Sequence, residues 1–124
     1  MPISVEHYAT PNQLLLKGRG AIDFAEMTQS IAVHRSGEQR RTPFILDLTE
    51  ATLKLSADDV YMLAEKMAGE MKRSPIGPVA VIATADEVFG IGRMYQAYSD
   101  IAGRPQVGVF RDIAAAERWL ATVK

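Results

Sequence analysis

The chain has 124 residues, 48% hydrophobic and 23% charged, with 14 Lys and Arg against 15 Asp and Glu for a formal net charge of -1. This is the composition of one globular domain with a self-sufficient core, and it excludes a disordered tail. Near-neutral charge leaves no field to gather a polyanion, so nucleic acid is not an expected partner. The lack of cysteine removes disulfides, thiolate metal sites and Cys nucleophiles together.

The opening MPISVEHY lacks the basic-then-apolar pattern of a signal peptide, and no apolar run reaches the ~20 residues that span a bilayer. A cytoplasmic protein without integral membrane contact is expected. ISVEHY and QLLLKGRG flank ATPN, whose Pro11 and Asn12 are turn formers, so the first two elements read as an antiparallel hairpin. From Asp23 the period changes: Phe24, Met27 and Ile31 recur at helical spacing, Asp23 can cap with Glu26, and Gly37 stops a helix expected to run to about Ser36. After the polar SGEQRRTP, the short apolar run FILDL reads as a buried strand, followed by a polar turn.

Val60, Leu63, Ala64, Met67 and Met71 then line one face of a second helix, ended by the prolines of MKRSPIGP. PVAVIAT does not alternate, the mark of a parallel strand buried on both faces. A third helix places Val88, Ile91, Met94 or Tyr95, Tyr98 and Ile101 three or four apart, with Thr84 and Glu87 as its capping box and Gly103 as its stop. QVGVF is the last strand. The final helix takes Asp112 as N-cap and turns Ile113, Ala116, Leu120 and Val123 inward. The order ββαβαβαβα predicts an α/β domain whose mixed, mostly parallel sheet begins with an antiparallel hairpin.

Ser56 precedes Ala57, Asp58 and Asp59 with the spacing of an N-cap, its hydroxyl accepting from the helix start while Asp59 reaches back. That makes it a structural serine, and a phosphate there would be repelled by both aspartates. His7 and His34 are the only histidines, and no metal or triad spacing joins them. FGIGR lacks the third glycine and the strand-to-helix setting of a dinucleotide fingerprint. Two glycines within one helix, Gly90 and Gly92, cost about 2 kcal/mol relative to alanine, so a use is expected of them, either the close approach of another backbone or a helix that can move, with close approach favoured and a second subunit one candidate for it. Arg93 and Tyr95 adjoin that surface, although Tyr95 fits the core stripe equally well. The carboxyl ends of the parallel strands offer Asp47, Thr49, Thr84, Asp86, Arg111 and Asp112 as a polar rim, of which Thr84 and Asp112 already serve as caps. Arg35, Arg40 and Arg41 form a basic loop cluster able to receive an acidic partner.

Three phrases, FILDLTEATLKLSADDV, FGIGRMYQAY and VGVFRDIAAAERWL, together with the order of elements, resemble the SpoIIAA-like family of the STAS (sulfate transporter and anti-sigma factor antagonist) superfamily. The resemblance covers essentially the whole chain, residues 1–124, as a single domain. It implies a homodimeric module that works by touching another protein or taking up a small ligand, not by catalysis. In phosphoswitch members a serine after an acidic residue at the start of the second helix is phosphorylated. Aligned on the LDL strand, that serine's place falls at or next to Ala57 and the acidic place is Leu55, so no phosphoswitch carries over.

Two functions follow as expectations. The first is a non-enzymatic interaction module, without cofactor or metal, contacting its partner through the glycine-bearing face of the third helix. The alternative is a small lipophilic ligand-binding protein with a pocket between sheet and helices, supplied by Met62, Met67, Met71 and Met94, whose thioethers adapt to irregular apolar shapes. A hydrolase or isomerase using Asp47 or Ser56 would need a base that no motif provides.

Overall fold

The structure, a computed structural model, describes residues 3–10, 13–34, 41–73, 75–102 and 106–123. Pro11, Asn12, Arg35, Gly37, Arg40 and Gly103 lie outside the described residues, as do the side chains of His7 and His34. Strands β1 (Ile3–Thr10) and β2 (Gln13–Asp23) form the hairpin. Helix α1 (Phe24–His34), strand β3 (Phe44–Lys54), helix α2 (Ala57–Arg73), strand β4 (Val79–Ile82), helix α3 (Asp86–Ile101), strand β5 (Val107–Phe110) and helix α4 (Ile113–Thr122) follow. The expected ββαβαβαβα order is the observed one, and β2 through β5 are parallel.

The strands lie in sequence order, β1-β2-β3-β4-β5. Crossovers of a single hand between successive neighbours place their helices on one face of a sheet, and α1, α2 and α3 indeed share one core with it. That core holds Leu14, Leu16, Met27, Phe44, Leu63, Val79, Val81, Val88 and Val109. Helix α4, which belongs to no crossover, closes the opposite face through Ala116 and Leu120 against Leu15, Ile45, Ala80 and Ile82. Strand β4 thus sends Val79 and Val81 to one core and Ala80 and Ile82 to the other, which accounts for its unbroken apolar run.

Local chemistry sets the helix starts. Each of Asp23 and Glu26 accepts through its side chain from the other's amide, at 2.8 and 3.1 Å, Ser56 and Asp59 do the same at 3.1 and 3.0 Å, and Asp112 accepts from the Ala115 amide at 2.8 Å. The third helix departs from expectation. It begins at Asp86 behind Ala85, which makes no side-chain cap, so Thr84 and Glu87 form no capping box. The cause is the neighbouring strand: the Ala83 amide donates to the Phe110 carbonyl at 2.9 Å and Arg111 Nη1 to the Thr84 carbonyl at 2.9 Å, which prolongs the strand path and displaces the first turn.

Strands β2 and β3 are longer than the apolar runs suggested. The segment read as a polar turn after FILDL continues β3, with Ala51 and Leu53 turned to the three-helix core while Glu50, Thr52 and Lys54 face water. It pairs with β2 from Arg19↔Glu50 to Asp23↔Lys54, past a register shift between Lys17 and Arg19. Two helix-end residues expected inward are exposed: Ile101 at 83% and Ile113 at 43%. A 16-residue helix spans about 24 Å and a four-residue strand about 13 Å, so α3 is longer than β5. Ile113 likewise opens α4 beyond the end of β5.

Candidate functional site: an apolar cavity beneath three helices

Helix α3 lies on β3 and β5 and α1 on β2, whereas α2 packs chiefly against α3 and approaches the strands little. Where α2 stands off, a cavity of about 90 Å³ remains between helices and sheet. Its floor is Leu16, Phe44, Leu46, Val79 and Val81 of the sheet. Met27, Ser30 and Ile31 of α1, Val60, Leu63 and Met67 of α2, and Ile91, Gly92 and Tyr95 of α3 enclose it. No Asp, Glu, His, Lys or Arg is among the described residues that line it. The amphipathic spacing of each helix explains the walls, because the same stripes that bury Val60, Leu63 and Met67 point at the sheet.

Gly92 is buried, and a Cβ on it would stand 3.0 Å from Val109 Cγ1, so its bare backbone is what lets α3 settle on β5. The close approach expected at this position is therefore within the chain, and a second subunit is not needed to account for it. Gly90 is exposed, with nothing within 4 Å of where its Cβ would be. Arg93 is exposed as well. Of the residues expected to form an interaction surface or ligand rim, Gly92 and Tyr95 line the cavity.

The polar rim separates into two groups that share no member. On the far side of the sheet, Asp47 Oδ1 accepts from the Thr49 amide and hydroxyl at 2.9 and 2.7 Å, and its Oδ2 lies 3.7 Å from Lys17 Nζ. Lys17 also meets Glu50, which lies 3.9 Å from Arg19 Nε. That hydrogen bond holds Glu50 below the ordinary carboxylate value and raises Lys17 above the ordinary amine value. At the other end, Arg111 bonds Asp86 at 3.0 Å and the Thr84 carbonyl, while its guanidinium lies 3.9 Å over the Phe89 ring. Both groups tie neighbouring elements together, and Ser56 is occupied as the α2 cap.

Among the methionines expected to furnish a pocket, Met67 does so. Met62 is 53% exposed, because it falls off the α2 stripe, and Met71 accepts from the Ile76 amide through its sulfur at the helix end. Met94 is half-buried and not part of the lining. Sequence reading missed Ser30 and the share of α1 and of the late β3 residues in the cavity. The available signals were a hydroxyl three residues after Met27, on the apolar stripe, and the alternation of Ala51, Leu53 and Leu55.

Among the described residues no helix is long and apolar enough to cross a membrane. No protein-family model matches the sequence, and no curated protein does. One similar solved structure is an uncharacterised protein of the DUF3478 family with a SpoIIAA-like fold from Shewanella loihica PV-4. It is 21% identical, with a TM-score of 0.58 over 95% of this chain and 93% of that chain. An alignment so nearly complete at both ends, joined to the sheet order and helix placement above, gives this chain the SpoIIAA-like fold.

Proposed function

We propose that the protein is a cytoplasmic, single-domain, non-enzymatic binding module that takes up a small apolar molecule beneath α1, α2 and α3. The observation that carries this reading is the cavity of about 90 Å³ with hydrophobic walls and, among the described residues that line it, no Asp, Glu, His or Lys to serve as general acid or base. The volume limits the occupant. An engineered apolar cavity of about 150 Å³ admits benzene, so the space here holds only a few carbons as it stands, and a flexible six-carbon chain is taken up as Met27 and Met67 swing aside. Native mass spectrometry of freshly purified protein tests the reading: a constant added mass, lost when Leu46→Phe fills the cavity, supports it. Clean protein after incubation with a cell lipid extract counts against it.

An interaction role rests on a different observation. Gly90, Arg93, Ala97 and Ile101 are all exposed and follow one another at helical spacing along α3. This face retains the expected homodimer or protein contact without Gly92. A dilution series read by light scattering, with Ile101→Glu alongside, decides whether it joins two copies.

A further inference from the structure

Ser30 sits on the cavity wall at 2% exposure, and its hydroxyl oxygen has no hydrogen-bond partner in the protein. A buried hydroxyl normally finds one. Two residues earlier on the same helix Thr28 adopts the usual solution, donating to the Phe24 carbonyl one turn back. Ser99 is also buried without a partner, but it is not among the described residues that line the cavity. Among the described residues of the lining, Ser30 thus carries a hydroxyl without a hydrogen bond inside the protein.

We infer that Ser30 anchors the occupant, and that the occupant is a neutral aliphatic molecule bearing a single oxygen, such as an alcohol, ketone or ester. The inference rests on the cavity reading above and sharpens it. The aliphatic body matches the apolar walls, while the oxygen completes Ser30 as donor or acceptor. Neutrality follows from the described lining: with no Lys, Arg or His among those residues, a buried carboxylate or phosphate would have no counter-charge. A free hydrocarbon would leave Ser30 unpaired.

The test titrates wild-type protein and Ser30→Ala with 1-hexanol, 2-hexanone, hexane and hexanoate at pH 7, reading cavity methyl shifts by NMR, with thermal melts to confirm that both proteins are folded. Ser30→Ala is expected to weaken hexanol and hexanone roughly three- to tenfold, the range of one net hydrogen bond, and to leave hexane unchanged. Hexanoate should bind wild type more weakly than hexanol. Equal effects of Ser30→Ala on all probes, or none on any, would overturn the anchor, as would hexanoate binding as tightly as hexanol. If no probe binds either protein, the cavity reading falls and the anchor with it; if hexane alone binds, the cavity stands and the anchor falls.

Discussion

On the α4 side of the sheet, Gly108 leaves room for two rings. A Cβ there would lie 2.6 Å from Phe110 Cε2 and 3.1 Å from Trp119 Cδ2, and those rings pack at 5.6 Å between centroids. On the α1–α3 side, Gly92 plays a related part, but its nearest neighbour is a single valine methyl at 3.0 Å, and a cavity remains beside it. One helix held by an aromatic pair closes its face tightly. Three helices placed together by the order of the strands leave slack under the middle one. The contrast separates a face filled by an aromatic pair from one that keeps a cavity, the space the proposed guest would take.

Breaking the tight face should have the largest effect. Trp119→Ala removes the ring that seats α4 and is expected to cost roughly 3 kcal/mol of unfolding free energy, measured in urea, while probe uptake on the opposite face persists. Gly108→Ala comes next at about 1–3 kcal/mol, because ring atoms of Phe110 occupy the space its methyl needs. The same substitution at Gly92 should fall within about 1 kcal/mol of neutral, since the gain in helix propensity offsets the small shift asked of Val109. At Gly90, where nothing stands within 4 Å, alanine should stabilise by up to about 1 kcal/mol. A Gly92→Ala cost as large as that of Gly108→Ala would erase the distinction between the faces.

The ion pairs on the outer surface of β2 and β3 should contribute least. Glu50 is held below its ordinary value of 4.5 by Lys17, so its contribution is present above that value and fades as pH falls through the lower folded value. Lys17 is raised above 10.5, so its share is present below that value and fades as pH rises through the higher one. Glu50→Gln should therefore flatten the acid limb of a stability profile slightly and leave neutral pH almost unchanged, because exposed pairs are screened by water and salt.

Features set by neighbours in sequence were legible before the structure. The caps at Asp23, Ser56 and Asp112 need only three or four residues, and the buried run VAVI needs only itself. Ser56, the residue most open to a regulatory reading, is engaged at both ends as a cap. What escaped depends on distant partners. Glu50–Lys54 reads as a turn until it meets Arg19–Asp23, some thirty residues earlier, and Gly92 reads as a contact site until Val109 lies beneath it. Thr84 misses the cap position because the helix starts one residue later, behind Ala85, beside the contact of the Thr84 carbonyl with Arg111, 27 residues on. The cavity is the extreme case, since no residue encodes the distance at which α2 stands from the sheet.

Under the proposed function, the three-helix face holds a guest site and the α4 face does not. Methyl-resolved NMR titration of the full chain with 1-hexanol measures both faces at once. The claim predicts saturable shifts at Leu46, Leu63, Val81 and Ile91 with Ile45, Ile82 and Leu120 unmoved. Shifts spread evenly over both cores, or absent from the cavity methyls at saturating probe, would contradict it.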